Sequence, residues 1–477
     1  MGTVKFAALI LLIAVAIGLY VDDMLTVSKA PVLPETWWRP GNEKTANPAI
    51  RKFNLVYPDR MVEDLKHRLK NTRYGVAPLQ GSATTYGMSS KVLRHVVDFW
   101  SNKYNFKERE TFLNQYPQFI TNVQGMDIHF LHVKPQNAAG KRVLPLLMVH
   151  GWPGSVVEFY KIIPMLTTPR PEHDFVFEVI APSLPGYGFS EGATIPGMGP
   201  AQIAVVLKNL MLKIGHNQFY TQGGDWGSII TSDMASMFPS NVQGIHLNMC
   251  MVLDFKTILK TMLYSVAPSF FLSEDDIPRM LPLGKHWANL ALESGYMHIQ
   301  ATRPDTIGTT LADTPAGLAA YILEKFSIWT NEKYRSMDDG GLSQKWNMDE
   351  LIDNLMFYWV PNSMTTSGRL YSEAFNKNYM GKDYSRGPVN VPSACAQFPH
   401  EIAYQPPSLL KLRYKNLIRA TKMEKGGHFA AFEEPQLLAD DIWATIEEME
   451  AIKKADAEKA KAEKAKQATK EASKKTE

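Results

Sequence analysis

From Val143 onward the chain repeats one pattern, an unbroken apolar run that stops at a Gly/Pro turn. VLPLLMVHGWPG (Val143 to Gly154) and FVFEVIAPSLPGYGFS (Phe175 to Ser190) both have it. Runs without polar alternation fit strands covered on both faces, the environment of a parallel sheet between helices. After them, Ala201 to Ile214 shows helical periodicity and stops at Gly215, FYTQGG makes a short strand, and VQGIHLNMCMV (Val242 to Val252) makes another. Strand signals return at VNVPSACAQF (Val389 to Phe398) and LIRATKM (Leu417 to Met423), ahead of an amphipathic helix from Pro435. This alternation predicts an α/β fold with a mostly parallel sheet.

Between about Asp254 and Tyr371 the strand pattern lapses into helix-compatible stretches such as GLAAYILEKFSIWTNEKY, which predict a helical cap inserted into the core. Near the N-terminus, Phe6 to Val21 is an apolar run between Lys5 and the pair Asp22, Asp23. It is slightly shorter than the roughly 17–25 residues of a spanning helix, and with no small-x-small cleavage site after it, it reads as a retained anchor. Gly2 does not start a myristoylation motif, because Phe6 stands where that pattern needs Ser or Thr. FNLVYPDRMVEDLKHRL carries Val62, Leu65 and Leu69 at helical spacing behind Asp59 as N-cap. The resulting plan is a membrane anchor over 1–23, an N-terminal accessory segment over 24–140, an α/β core in two parts at 141–253 and 372–450, and a cap at 254–371. Residues 451–477, almost all Lys, Ala and Glu, read as a solvated helix or a disordered tail.

With 45% hydrophobic residues in 477, the chain can bury a large core. A formal charge of only +3, with no basic stripe interleaved with aromatics, argues against nucleic acid as a partner. Cys250 and Cys395 are the only cysteines, too few for a disulfide framework or a Cys-based zinc site; nothing in the sequence indicates that they pair.

Chemistry concentrates in a few turns. QGGDWGS contains Gly223, Asp225 and Gly227 in the frame Gly-x-nucleophile-x-Gly, after a strand and before the helix-compatible run SIITSDMASMF. Alone, such a match is more often a Gly-rich turn whose Asp caps a helix. A literal Gly-x-Ser-x-Gly at Ser190 is a decoy, since it follows a Pro-Gly turn and precedes Pro196 and Pro200 rather than a helix. His428, in EKGGHFAAFEEP, follows a strand and precedes the last helix, so the chain order nucleophile, acid, histidine can be met. Glu401 in QFPHEIAY is the favoured acid, with Asp353 and Glu373 as other carboxylates in the interval. HGWPGS offers the backbone N–H of Trp152 as half of an oxyanion hole, with that of Trp226 as the other half.

An aspartate in a nucleophile's place points to a particular electrophile. Serine attacking a saturated carbon would leave an ether, whereas a carboxylate leaves an ester that an activated water can open at the carbonyl carbon. The substrate is therefore an epoxide or an alkyl halide. Epoxide opening needs a proton or strong hydrogen bonds at oxygen, which tyrosines of the cap can supply. Tyr296 and Tyr371 lie there, although with 19 tyrosines in the chain composition does not select them. The competing readings are a haloalkane dehalogenase-like hydrolase, a non-catalytic membrane-anchored binder of apolar ligands and, on Ser190 alone, a serine esterase.

HGWPGS, PSLPGYGFSE, QGGDWGS, ESGYMHIQATRPDT, AAYILEKFSIWTN and GGHFAAFEEP, in this order, resemble the microsomal epoxide hydrolase family, which includes the juvenile hormone epoxide hydrolases. The resemblance runs from the anchor and WWRPG (Trp37 to Gly41) to the final helix near Met449. It implies an α/β-hydrolase fold and hydrolysis of lipophilic epoxides to vicinal diols. It also implies Asp225 as nucleophile, Glu401 and His428 as the water-activating pair, and Tyr296 and Tyr371 as donors to the epoxide oxygen. The glutamate's FPxE context is matched by Phe398, Pro399, His400 and Glu401. The family uses no metal or organic cofactor and sits on the endoplasmic-reticulum membrane through its N-terminal anchor, so membrane lipid and a small apolar epoxide are the expected partners, with no obligate protein partner. The tail beyond Ala451 departs from the family's usual ending.

Overall fold

A computed structural model describes residues 29–42, 46–138, 140–376 and 384–474, with 15, 17 and 18. The expected anchor therefore lies outside the described residues apart from Val15, Ile17 and Gly18. Among the described residues, no helix is long and apolar enough to cross a membrane.

The apolar runs form the inner strands of one nine-stranded sheet. Its strands are β1 (Arg51–Phe53), β2 (Gln118–Val123), β3 (Met126–Val133), β4 (Arg142–Val149), β5 (Phe175–Pro182), β6 (Phe219–Gly223), β7 (Val242–Leu247), β8 (Ser393–Gln397) and β9 (Leu417–Lys422). Their spatial order is β1-β2-β3-β5-β4-β6-β7-β8-β9. From β5 to β9 the pairs are parallel, while β1 to β3 join antiparallel on the β5 edge. Every residue of β5, β6 and β8 is buried, as expected of strands with helices on both faces. Because β4, β6, β7, β8 and β9 run the same way, their C-terminal ends share one edge, and the chemically rich turns emerge there.

Two local expectations are corrected, and one pairing the sequence leaves open is settled. The strand predicted over Val242 to Val252 stops at Leu247, since the chain turns there toward the cap. Asp59 is the first residue of the helix Asp59–Lys70 rather than its N-cap, which is Pro58. Cys250 and Cys395 are joined in a disulfide, one just before the cap and one in β8 beyond it, so the bridge closes the base of the insertion. The pairing was not legible because 145 residues separate the two cysteines and only the sheet brings β7 beside β8. Cap helices run from Phe255–Val266 to Met364–Phe375, slightly beyond the expected limit at 371. The last helix, Pro435–Lys474, carries the start of the Lys/Ala/Glu tail, exposed over 453–466, into solvent.

The accessory segment is fastened to the cap by one buried charge cluster. Asp353, in the cap helix Met348–Trp359, is fully buried. It accepts hydrogen bonds from Tyr104 Oη at 2.8 Å and from Arg109 Nε at 3.1 Å. Burial pushes its carboxyl up to about 6 even against the Arg109 guanidinium. One of the carboxylates between Asp225 and His428 is thereby assigned to structure. Removing one partner of a buried ion pair strands the other. Arg109→Ala should lower unfolding free energy by about 3–5 kcal/mol in urea titrations, and a change below about 1 kcal/mol would mean that the pair does not hold the segments together.

Candidate active site

The turn between β6 and the helix Trp226–Met237 is a sharp elbow. Asp225 sits at its apex with φ 50° and ψ −128°, a conformation costly for a residue with a Cβ. The flanking glycines make the turn sterically feasible: a Cβ on Gly227 would lie 1.9 Å from the Val149 carbonyl oxygen, and one on Gly151 would lie 2.1 Å from Asp225 Oδ1. The HGWPGS turn after β4 thus packs directly against the Asp225 side chain, and Trp152 N–H donates to Asp225 Oδ1 at 2.8 Å. Cap residues fix that turn in place, with Asn354 donating to the Pro153 carbonyl at 2.8 Å and Tyr358 to the Gly154 carbonyl at 2.7 Å.

His428 comes from the loop after β9. Its Nε2 lies 3.4 Å from Asp225 Oδ2 and its Nδ1 lies 2.8 Å from Glu401 Oε1. Burial alone would push the imidazole down, but the Glu401 and Asp225 charges outweigh it and hold its pKa well above the usual value. Glu401 reaches it from the loop after β8, where its Oε1 also accepts from Ile402 N–H at 2.7 Å. Glu373 instead accepts from Asn376 at 3.1 Å near the end of its own helix. Ser190 is spoken for: its hydroxyl donates to the Ser183 carbonyl at 2.7 Å and accepts from His129 N–H at 2.9 Å.

Two cap tyrosines complete an aromatic wall. Tyr296 stacks on Trp152 with centroids 4.9 Å apart, and Tyr371 stands edge-on to Trp226 at 4.8 Å. Burial, with the charge of Asp225 adding to it, raises the pKa of Tyr296. The same burial, with Tyr296 and Asp225 adding, raises that of Tyr371. Both therefore remain O–H donors. The buried Tyr371 hydroxyl has the Tyr296 and Trp226 side chains as its polar neighbours.

Sequence reasoning missed several residues. Glu433 accepts from Gly427 N–H at 2.8 Å and Phe429 N–H at 2.9 Å, and so shapes the loop that carries His428. Its only sequence signal is an acid five residues after the histidine. Gln222, Asn248 and Glu158 join Asp225 and His428 around a cavity of about 20 Å³. Elsewhere, His132, Glu178 and His216 are close enough together to hold a metal ion. However, Glu178 Oε1 lies 2.5 Å from His132 Nε2, 3.5 Å from His216 Nε2 and 3.6 Å from Lys134 Nζ. The 2.5 Å separation is that of a hydrogen bond, so the carboxylate is already shared among side chains of the protein.

Comparison with known proteins converges on one family. Residues 50–159 match the model for the epoxide hydrolase N terminus, and residues 145–360 match that for the alpha/beta hydrolase fold. The chain is 48% identical to juvenile hormone epoxide hydrolase 1 of Ctenocephalides felis, over 92% of this chain and 95% of that protein. It is 44% identical to epoxide hydrolase 1 of Sus scrofa, over 86% of this chain and 92% of that one. The crystal structure of juvenile hormone epoxide hydrolase from Bombyx mori superimposes with a TM-score of 0.87 at 46% identity, covering 88% of this chain and 99% of that chain.

The charges around His428 have a measurable consequence. With its pKa raised, the imidazole stays protonated as pH rises through its ordinary range and loses its proton only above it. In Glu401→Gln one of the two charges is gone, so the imidazole resonances should titrate at lower pH in proton NMR. An unchanged midpoint would show that Glu401 does not act on His428 through its charge.

Proposed function

The chain belongs to the epoxide hydrolase family, and on that premise we propose that it hydrolyses epoxides to vicinal diols in two steps, through a covalent ester on Asp225. The observation that carries the reading is the division of the Asp225 carboxylate: Oδ1 is held by Trp152 N–H at 2.8 Å, while Oδ2 faces His428. One oxygen is thus fixed in a donor site and the other is turned toward the reaction space.

In the first step Oδ2 attacks an epoxide carbon, the carbon–oxygen bond of the ring breaks, and the released oxygen takes its hydrogen from Tyr296 or Tyr371. Esterification removes the charge of Asp225, one of the influences that hold the imidazole protonated, so the pKa of His428 falls, its proton passes to the phenolate left by ring opening, and the imidazole is free when a base is required. His428 then takes a proton from water as the hydroxide adds to Cγ of Asp225. The oxyanion forms on Oδ1, beside Trp152 N–H, with the N–H of Trp226 as the second donor in this reading. Collapse expels the diol oxygen, which takes the remaining water proton, and leaves Asp225 charged and His428 protonated as at the outset. The balance is one epoxide plus one water to one diol. The tyrosine donors favour this reading over halide displacement, whose leaving group needs no proton.

The aromatic walls favour an apolar substrate, and the likeness to juvenile hormone epoxide hydrolases supports a lipophilic, juvenile-hormone-type epoxide. A membrane setting fits such a substrate. In addition to the apolar run Phe6 to Val21, the cap helix Phe255–Val266 turns Phe255, Ile258, Leu259, Met262, Leu263 and Val266 to solvent while burying Thr257 and Tyr264. A stripe with that spacing ordinarily faces a core; facing outward, beside Lys256 and Lys260, it suits the interface of an anionic bilayer.

A single turnover with a lipophilic epoxide in H₂¹⁸O should place label in the Asp225 carboxylate and none in the first diol formed; label in the diol with Asp225 unlabelled would mean direct attack by water. An environment-sensitive fluorophore on Met262→Cys should shift to the blue on addition of phosphatidylcholine/phosphatidylserine vesicles. No shift would leave this helix facing water and remove it from the membrane reading.

A further inference from the structure

The motif HGWPGS is followed by Glu158, in the short 3₁₀ turn Val156–Phe159. Its carboxyl folds back against the motif so closely that a Cβ on Gly154 would lie 1.5 Å from Glu158 Oε1. Glycine at 154 is therefore what admits the carboxyl. Glu158 lines the same cavity as Asp225, His428, Gly154, Gln222 and Asn248. At about 20 Å³ the cavity has room for one water molecule, which needs roughly 10–15 Å³ and two or more polar partners. Among the described residues, Glu158 forms no ion pair with a lysine or arginine. The Ser155 backbone N–H engages the Glu158 carboxyl, whereas both oxygens of the buried Glu433 carboxyl are engaged by backbone N–H groups.

We propose that Glu158 is a positioning residue for the hydrolytic water: one hydrogen of the water goes to His428 Nε2, the other to a Glu158 oxygen, and the lone pair is thereby aimed at Cγ of Asp225. The inference rests on the two-step reading above and adds a third carboxyl to it. Burial raises the pKa of Glu158 to about 8, the Asp225 charge adding to the shift and the His428 charge opposing it. The group therefore adds little negative charge at neutral pH, and its carbonyl oxygen accepts a hydrogen bond in either protonation state. No proton is transferred to it; the covalent steps are unchanged.

The two half-reactions separate this role from a structural one. In single-turnover experiments on the full chain, Glu158→Leu should leave Asp225 alkylation within about twofold of the unsubstituted protein and slow ester hydrolysis by roughly 10- to 100-fold, so that alkyl-enzyme accumulates. Glu158→Gln keeps a carbonyl acceptor of the same reach and should recover most of the hydrolysis rate. Gly154→Ala, whose Cβ displaces the carboxyl without changing it, should reproduce the leucine phenotype and serves as a second variant should leucine disturb folding. Equal slowing of both steps, or undiminished hydrolysis in both Glu158→Leu and Gly154→Ala, would overturn the proposal. Failure to observe an ester in the unsubstituted protein would instead overturn the two-step reading beneath it.

Discussion

The site depends on one imidazole shared by two carboxylates. His428 has Glu401 at 2.8 Å on one nitrogen and Asp225 at 3.4 Å on the other, and all three side chains lie under the cap. Burial works against a charge on the imidazole, and the two neighbours overcome it. The balance is conditional on both charges being present. Any chemistry that neutralises Asp225 weakens the hold on the proton without moving an atom of the scaffold, and the group changes from a stabilising cation to an available base. The arrangement thus contains its own timing.

Holding three such groups together falls to distant parts of the chain. The elbow after β6 presents Asp225, the loop after β8 presents Glu401, and the loop after β9 presents His428, all at one edge because the strands are parallel. Cross-links tighten that edge: His400 N–H donates to the Gly426 carbonyl at 3.1 Å, tying the Glu401 loop to the His428 loop. Arg279 of the cap donates to the Phe398 carbonyl at 2.6 Å. The bridge between Cys250 and Cys395 joins the segment after β7 to the middle of β8. A cap inserted between those strands is in this way secured at its base, while Tyr358 and Asn354 secure its underside to the HGWPGS turn.

What could be read from the sequence was whatever local spacing determines. Gly223, Asp225 and Gly227 mark an elbow because close packing of backbone on backbone forbids side chains there, and the parallel strands show as apolar runs because both faces are covered. His428 and Glu401 could be ordered along the chain but not measured against each other. The antiparallel additions β1 to β3 were not anticipated within the accessory segment; alternation in QFITNV and MDIHFLHV was passed over in favour of the helical spacing around Leu65. Asp353 and the two cysteines could not be assigned, because their partners lie far away in sequence and become neighbours only through tertiary structure. Glu158 is an intermediate case: the glutamate and Gly154 are four residues apart, yet the need for one is visible only once the other's missing Cβ is placed.

Four carboxyl groups surround this one imidazole or its loop, and a poorly solvated site cannot carry four negative charges against a single positive one. The structure distributes them by environment. Asp225 and Glu401 touch the imidazole directly and gain its attraction. Glu158 and Glu433 do not touch it; the His428 charge opposes but does not overcome burial, which raises each to about 8, so at neutral pH both favour the uncharged form. The uncharged pair still offers polar oxygens, one set to backbone N–H groups and one to the cavity, without opposing the approach of a carboxylate's electrons to the substrate. Had Glu158 been ionised, its charge would also have supported the imidazolium and, in the proposed two-step reaction, delayed its conversion to a base. A carboxyl kept neutral by burial is therefore better suited to the rim of this cavity than one kept charged by an arginine.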